Sequence, residues 1–291
     1  MTADAATYPG LFYPDVSGDA GSVDLTGIHA LCAKCTEGTY YIAPHYPAHV
    51  ANAKAAGAFC FAYHFLTTEN PQAQAAYCHQ HLDPGMPLMV DVETQTQTGS
   101  KPSLQQALDF VTHFRSLGGV VHLCYLPQWY WSSVLGSPDL AALKKLGLVL
   151  VSSDYAGYGT HAGWAAYGGM APTIWQYTSS ASVHGINVDF NAFLGSGATD
   201  VPTLLAELKA VVTTGKLPSQ KTWQELVTKG DKSLAEVAKA CGMNPAELLR
   251  ATAVRYGRFD GVTHDFLDGV FAGTVAAGSN VPAGARFWVL R

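Results

Sequence analysis

Short apolar runs alternate with amphipathic segments over the first 195 residues of the chain. This alternation is typical of a β/α sheet or barrel, in which buried strands are followed by covering helices. Eight runs have the length of strands: Leu11 to Val16, Leu31 to Cys35, Ala58 to Phe65, Pro87 to Glu93, Val120 to Tyr125, Leu148 to Tyr155, Thr173 to Tyr177 and Val188 to Phe190. The pattern therefore predicts an α/β fold built on eight strands.

Helical patterns lie between the early strands and fade after the sixth. Three helices are predicted, over Pro47 to Ala56, Asn70 to His81 and Ser103 to Leu117. Ser103 and Gln106 have the spacing of a capping box, which marks the start of the third helix. Residues 157–169 are instead rich in glycine and aromatic residues, so loops should join the last strands. We expect an irregular barrel with incomplete helices rather than a symmetric one.

The pattern changes after residue 195, where a short amphipathic helix around Leu204 to Val212 is followed by a polar linker. Residues 1–197 are therefore assigned to a barrel domain, residues 198–221 to a helix and linker, and residues 222–291 to a small α+β domain. The predicted elements of this last domain are a strand over Trp223 to Val227, helices over Ser233 to Cys241 and Pro245 to Arg255, and a strand over Arg286 to Leu290.

Composition and charge exclude some classes of binding partner. Charged residues make up 13% of the 291 residues and apolar ones 48%, which is typical of a globular chain with few charges. The net charge is −5 and the 17 Lys and Arg form no cluster, so no nucleic acid is expected as a partner. The uncharged stretch 116–138 contains glycines, prolines and serines that argue against a membrane span. We expect a monomer without membrane insertion.

Cysteines and histidines give no signature of a metal or redox site. The six cysteines are expected to be free thiols, because a chain this long and apolar needs no disulfides. Cys32 and Cys35 have a CxxC spacing but fall inside a predicted strand, and no second pair follows. His79 and His81 lie two apart on a predicted helix, so they do not share a face. No metal and no cofactor are expected.

The strand that ends Asp91-Val-Glu93 carries the most informative chemistry. Side chains two apart on a strand point the same way, with Cα atoms about 6.6 Å apart. Asp15 ends the first strand and Asp189 lies in the last, and these strands are neighbours if the barrel closes. Acids at the carboxyl ends of barrel strands are usually catalytic. The alternative for Asp91 and Glu93 is a polar loop start or a helix cap.

Four acids around one opening would repel one another and raise at least one pKa toward neutrality. A protonated acid beside an ionised one is the pairing that glycoside cleavage uses. Aromatic residues that could stack on sugar rings lie close to these acids, although each taken singly is more often part of a core. They are Tyr40, Tyr41, Tyr63, Tyr125, Trp129, Trp131, Trp175 and Tyr177.

Seven short motifs stand in order between about Tyr13 and Phe193. They are Asp15-Val-Ser17, Lys34-Cys-Thr36-Glu37-Gly38, Ala62-Tyr63-His64-Phe65, Asp91-Val-Glu93, Cys124-Tyr125, Ile174-Trp175-Gln176-Tyr177-Thr178-Ser179 and Val188-Asp189-Phe190-Asn191. In this order they resemble glycoside hydrolase family 25, the muramidases of phage endolysins and bacterial autolysins. The resemblance implies an irregular flattened (β/α) barrel of eight strands with unequal helices, in agreement with the fading helical pattern.

The resemblance also implies a substrate and a set of roles. The substrate would be bacterial peptidoglycan, cleaved at the β-1,4 bond between N-acetylmuramic acid and N-acetylglucosamine with net retention. Glu93 would be the general acid, and Asp91 would stabilise the positively charged sugar or orient its acetamido group. Asp15 and Asp189 would hold the substrate and tune the charge. The residues that would bind the substrate are Lys34, Tyr41, Tyr63, Tyr125, Trp175 and Gln176.

The C-terminal domain resembles, more loosely, a LysM module, on residues 233–249 and 281–289. This resemblance implies binding to cell-wall glycan, and a helical appendage without a ligand is the alternative. The first residues, MTADAATYPG, lack the cationic start and apolar stretch of a secretory signal. We therefore expect synthesis in the cytoplasm without a signal peptide and a phage endolysin that reaches the wall by a holin-type route.

Two other classes of function stay open at this point. The first is a non-catalytic glycan-binding protein on a hydrolase barrel, for which Glu93→Gln would leave function unchanged. The second is a thiol peptidase or amidase that uses Cys35 or Cys60 with His64. This second class is disfavoured, because none of the cysteines is predicted at a helix N-terminus beside a positioned base.

Overall fold

A computed structural model of the chain describes residues 10–17, 21–158, 162–198 and 200–217. The predictions for residues 222–291, including the LysM-like domain, lie outside the described residues. Within the described ranges, no helix is long and apolar enough to cross a membrane.

The described residues form nine strands, six α-helices and one short 3-10 helix. The strands are β1 Leu11–Val16, β2 Ala30–Glu37, β3 Tyr41–Ile42, β4 Phe59–Phe65, β5 Leu88–Asp91, β6 Val121–Tyr125, β7 Val149–Ser153, β8 Ile174–Val183 and β9 Ile186–Phe193. The helices are α1 Tyr46–Ala56, α2 Pro71–His81, α3 Leu104–Ser116, α4 Gln128–Ser133, α5 Ala141–Lys145 and α6 Val201–Thr214, with a 3-10 turn at Ala162–Trp164. The eight predicted strands and the four predicted helices of this part are confirmed, with shifted ends.

Eight of the strands close into a barrel. The order around it is β1, β2, β4, β5, β6, β7, β8 and β9, and β1 pairs with both β2 and β9. The ninth strand, β3, extends the sheet from β2 as an antiparallel edge. The expectation that the first and last strands are neighbours is confirmed, since Asp15 and Asp189 are direct partners in the pairing of β1 with β9.

The closing strand departs from an all-parallel β/α barrel. β9 runs antiparallel to both β8 and β1. Only His184 and Gly185 separate β8 from β9, and both have positive φ, 48° and 86°. A two-residue turn of this kind joins antiparallel strands, whereas a parallel pair needs a long crossover. The connection between β8 and β9 therefore needs no helix.

Alternation along the strands divides the apolar residues between two clusters. The interior cluster fills the barrel and includes Tyr13, Phe61 and Leu123. Their neighbours along the strands belong to the outer cluster, the core between the strands and the helices. Helix α6 also contributes to the interior cluster and contacts β1, β4 and β6. Gly215, directly after α6, lies beside Gly147 and His122 at the amino ends of β7 and β6. The opposite, carboxyl ends of these strands face the candidate site.

The predicted capping box of helix α3 is present. Ser103 Oγ accepts a hydrogen bond from the Gln106 amide at 3.2 Å, and Gln106 Oε1 accepts one from the Ser103 amide at 2.9 Å. We expect Ser103→Ala to lower the free energy of unfolding by about 1 kcal/mol, because amide donors at the helix start lose a partner. Urea denaturation measures the change. Thr112→Ala in the same helix is the control, and equal stability of both variants would contradict the expectation.

Candidate active site

One cavity at the carboxyl ends of the strands brings together the four predicted acids. Asp15, Asp91, Glu93 and Asp189 all line it, although they come from three strands and from the segment that follows β5. Four of the six predicted substrate-binding residues line the same cavity: Lys34, Tyr63, Tyr125 and Gln176. The convergence that the strand pattern predicted is therefore present in the structure.

Asp15 is held by amide groups of the two antiparallel strands. Its Oδ2 accepts hydrogen bonds from Gln176 Nε2 at 2.8 Å and from Asn191 Nδ2 at 2.7 Å. The Gln176 amide is fixed in turn, since its Oε1 accepts hydrogen bonds from the hydroxyls of Tyr125 and Tyr155 at 3.0 and 2.5 Å. Burial raises the pKa of Asp15, and the two amide donors oppose that rise. The Asp15 carboxyl is thus rigidly positioned.

Asp91 and Glu93 point to the same side, as the two-residue spacing predicts. The strand itself ends at Asp91, two residues earlier than predicted, but the Val92 amide still donates to the Tyr125 carbonyl at 2.9 Å. The chain therefore stays extended for one more step, and Val92 is buried in the outer cluster. This alternation turns both acids into the cavity.

The protonation of these two acids is set mainly by burial. Burial first and the charge of Asp15 second raise the pKa of Glu93, Lys34 opposes the rise, and the resulting pKa is about 7. The pKa of Asp91 lies well above its ordinary value because of burial first and the nearby Glu93 second. Asp91 Oδ1 is buried without a hydrogen-bond partner among the described residues. Such an orphaned acceptor is costly unless a bound group donates to it.

Asp189 completes the acid cluster. Burial first, and then the charges of Asp15 and Glu93, raise the pKa of Asp189 to about 8. Asp189 also shares a hydrogen bond with Asp15, its partner across the β1 and β9 pairing. At neutral pH the cluster therefore retains protons that free carboxyls in water would lose.

The cavity lining also carries a positive charge, on strand β2 beside β1. Lys34 Nζ lies 2.6 Å from Glu37 Oε2, and the two residues are three apart in β2. On a regular strand this spacing would place them on opposite faces, but the pairing of β2 with β4 shifts register between Lys34 and Thr36. Sequence alternation alone therefore missed Glu37 as a site residue, although it stands in one of the quoted motifs.

Two of the predicted substrate-binding residues, Tyr41 and Trp175, do not line the cavity. Trp175 is fully buried, and its Nε1 donates to the Asp154 carbonyl at 2.8 Å rather than facing the cavity. The cause is alternation: Gln176 points inward, so Trp175 and Tyr177 must point outward into the core cluster. Tyr41 also lies outside the cavity lining, and its ring contacts the Lys34 ammonium, with Nζ 5.3 Å from the centroid.

The rim of the cavity carries two exposed aromatic rings. Trp129, one of the predicted sugar-stacking residues, is 47% exposed and lines the cavity beside the acids. Tyr155 is 53% exposed and was not among the predicted sugar-stacking residues, because the pattern placed it at the end of a buried strand, whereas β7 ends at Ser153. Trp131 instead packs against the core and donates to the Pro138 carbonyl at 2.8 Å. Exposed rings at an opening suit the apolar faces of a sugar.

The thiol alternative lacks an accessible nucleophile. Cys35 and His64 are both fully buried, so no substrate reaches them. Cys60 precedes the inward-facing Phe61 in β4 and packs against the outer cluster, away from the acids. Burial raises the pKa of Cys60 to about 12, which disfavours the thiolate. Neither Cys35 nor Cys60 therefore fits the nucleophile of the thiol alternative.

Comparison with known families decides the relationship. The family model "Glycosyl hydrolases family 25" matches residues 15–186, more than half of the chain. The chain belongs to this family. The match begins at Asp15 and includes Asp91 and Glu93, whereas Asp189 lies three residues beyond its end. The barrel closure by β9 is what adds Asp189 to the family 25 site.

Solved structures agree with this fold. The chain is similar to a muramidase from Trichobolus zukalii, with 23% identity and a TM-score of 0.55 over 71% of this chain and 100% of that one. A bacterial lysozyme from Streptomyces coelicolor shows 24% identity and a TM-score of 0.57 over 71% and 99%. A family 25 glycosyl hydrolase from Bacillus anthracis shows 16% identity and a TM-score of 0.54 over 68% and 93%. Among curated proteins, none matches the chain.

The exposed Trp129 ring offers a test of substrate contact in the family 25 cavity. We expect Trp129→Ala to raise KM for wall fragments by about 3- to 10-fold, the effect of losing about 1 kcal/mol of ring contact. Steady-state kinetics measures it, with kcat and thermal stability nearly unchanged. Leu117→Ala removes an exposed apolar side chain that does not line the cavity and is the control. An unchanged KM for Trp129→Ala would contradict the contact.

Proposed function

We propose that this family 25 domain is an N-acetylmuramidase that cleaves peptidoglycan at the β-1,4 bond between N-acetylmuramic acid and N-acetylglucosamine. Family membership supports a peptidoglycan hydrolase of the lysozyme type. The observation that carries the proposal is the meeting of four acids in one cavity, among which burial raises the pKa of Glu93 to about 7. A carboxyl with this pKa can hold a proton at neutral pH and also give it away.

Glu93 is the proposed general acid. It transfers its proton to the glycosidic oxygen as the bond from that oxygen to the anomeric carbon breaks. The acetamido carbonyl oxygen of the same sugar then bonds to the anomeric carbon and takes up the positive charge. This bond closes a ring between the acetamido group and the sugar. In the second step water attacks the anomeric carbon and opens that ring, and the Glu93 carboxylate accepts a proton from the water. Two displacements at one carbon give net retention.

Asp91 is the proposed stabiliser of the acetamido group. Its buried Oδ1 lacks a partner among the described residues, and the N–H of a bound acetamido group would supply one. An N–H donor and the developing positive charge both favour the ionised carboxylate, which counteracts the rise in the pKa of Asp91 that burial causes. When Asp91 and Glu93 hold one proton between them, substrate binding would therefore favour the state in which Glu93 carries it.

Asp15 and Asp189 are proposed to hold the substrate and to maintain the charge balance. Asp15 is already oriented by Gln176 and Asn191, so its free lone pairs can accept hydrogen bonds from sugar hydroxyls. Asp15 also keeps the Glu93 proton in place, because its negative charge raises the pKa of Glu93.

Product analysis tests this function. Purified bacterial walls are digested with the full chain, the new reducing ends are reduced with borohydride, and the sugar alcohols are identified after acid hydrolysis. We expect the alcohol derived from N-acetylmuramic acid and no increase in free amines. The alcohol derived from N-acetylglucosamine would contradict the bond assignment, and free amines without reducing ends would contradict glycoside cleavage. The endolysin role and glycan binding by residues 222–291 stay predictions.

A further inference from the structure

The Lys34 ammonium faces the acid cavity but is paired away from the acids. Among the described residues that line the cavity, Lys34 is the one Lys or Arg side chain. Its Nζ lies 2.6 Å from Glu37 Oε2, and the Lys34 side chain is only 13% exposed. In this part of the chain Lys34 forms no ion pair with any of the four acids. The ion-pair partner of the Lys34 ammonium is therefore Glu37.

Glu37 is fixed from several sides. Its Oε1 accepts hydrogen bonds from the Tyr40 hydroxyl at 2.7 Å and from Gln95 Nε2 at 2.9 Å, while Oε2 contacts Lys34. Gln95 belongs to the segment that follows Glu93, and its own Oε1 accepts the Thr98 amide at 2.8 Å. Burial acts to raise the pKa of Glu37, but hydrogen bonds from Lys34 and Tyr40 outweigh it and lower the pKa. Glu37 is thus an ionised, immobile partner.

Two aromatic rings flank the Lys34 ammonium. Nζ lies 4.9 Å from the centroid of Phe65 and 5.3 Å from that of Tyr41. Cation–π contacts of this length are attractive and narrow the range of positions that the ammonium can take. The rings alone do not neutralise the charge. The acid cluster also lies within electrostatic reach of Lys34, since Lys34 lowers the pKa of both Asp91 and Glu93.

We propose that Glu37 is a positioning residue that holds the Lys34 ammonium at the cavity wall and so keeps Glu93 protonated up to neutral pH. This inference rests on the proposed function, since it assumes that Glu93 is the general acid. An ammonium freed from Glu37 and drawn toward Glu93 would stabilise its carboxylate. The acid would then lose its proton at a lower pH, and the enzyme would lose activity earlier as the pH rises.

Other titratable groups face Glu93 and Lys34 from the surrounding elements. They are Asp15 from β1, Tyr41 from β3, Tyr63 from β4, Asp91 from β5, Tyr125 from β6, Tyr130 from α4, Tyr155 after β7, Asp189 from β9, and Tyr40 after β2. The carboxyls among them stay in place in a Glu37 variant. The tyrosines remain neutral near pH 7, because a phenol ordinarily ionises only at about pH 10 and burial raises the pKa of most of them further. A change in the alkaline limit can therefore be traced to Lys34 and Glu37.

A double-variant cycle tests the proposal on the pH profile of kcat/KM for soluble wall fragments. We expect Glu37→Gln to move the alkaline limb to lower pH by about one unit, the size expected when a nearby opposite charge moves closer. We expect Lys34→Met to move it to higher pH, because Lys34 lowers the pKa of Glu93. Without the ammonium Glu37 has nothing to hold, so the double variant should match Lys34→Met.

Three results would overturn the proposal. One is an unshifted alkaline limb in Glu37→Gln, and another is the same Glu37→Gln shift in the Lys34→Met background, which would mean that Glu37 acts only through its own charge. The third is a wild type that releases no reducing ends, which would also overturn the proposed function. If Glu37→Gln does not fold by circular dichroism, Glu37→Asp replaces it. This variant keeps the charge on a shorter side chain, and we expect a smaller shift in the same direction.

Discussion

With Glu93 as the proposed general acid, we expect Glu93→Gln to lower the rate of wall hydrolysis by about 10²- to 10⁴-fold, the usual contribution of such a group. Gln has nearly the same shape as Glu but no proton to transfer to the glycosidic oxygen. Because burial raises the pKa of Glu93 to about 7, the wild type keeps much of this proton at neutral pH. The loss should fall mainly on kcat, since the amide still fills the position in the cavity. Release of reducing ends from purified walls measures it.

The control for this variant is Asp109→Asn, which neutralises a half-buried acid on helix α3 outside the cavity. We expect its rate to match that of the wild type. Equal rates for Glu93→Gln and the wild type would contradict the assignment and favour a non-catalytic glycan-binding barrel. The same outcome with alkylation-sensitive activity would favour thiol chemistry, in spite of the burial of Cys35 and His64.

The stability of the barrel should fall as the pH rises from about 4 to about 8. Burial raises the pKa of Glu93 to about 7 and that of Asp189 to about 8 in the folded protein, whereas both are near 4 when unfolded. Below pH 4 both states are protonated and no difference arises. Between the two pKa values the unfolded chain has lost the proton that the folded chain keeps, so ionisation favours unfolding. This loss is complete above the folded pKa.

Asp189→Asn removes one of these titrations. One pKa unit corresponds to about 1.4 kcal/mol, and the pKa shift is shared among the acids of a coupled cluster. From pH 4 to pH 8 the free energy of unfolding of the variant, relative to that of the wild type, should therefore rise by about 2 to 3 kcal/mol. Urea denaturation at both values measures the free energy of unfolding. Asp109→Asn should follow the wild type at every pH. Parallel curves for Asp189→Asn and the wild type would show that Asp189 titrates normally.

Much of the barrel could be predicted from apolar runs, because buried strands of four to eight residues are bounded by turn residues and helical segments. All eight barrel strands lie where the pattern placed them. The direction of β9 could not be predicted in this way, because alternation does not distinguish a parallel strand from an antiparallel one. The antiparallel direction of β9 follows instead from the two-residue turn at His184 and Gly185, both of which have positive φ.

The site shows the same division between local and long-range information. The period of two along β5 correctly predicted that Asp91 and Glu93 share a face. The face of Trp175 was wrong, because its neighbour Gln176 takes the inward position and bonds to Asp15 across the barrel. Glu37 could not be recognised from alternation at all, since a bulge between Lys34 and Thr36 changes the face of every later residue in β2.

The most direct test of the account is the titration of the Glu93 side chain in the folded wild type. The protein is labelled with ¹³C at the Glu carboxyl carbon, and the spectrum of Glu93→Gln identifies the Glu93 resonance. We expect a midpoint near 7, which falls when Asp15→Asn removes the neighbouring negative charge. A midpoint near the ordinary value of about 4.3, unchanged by Asp15→Asn, would contradict a protonated general acid in this cavity.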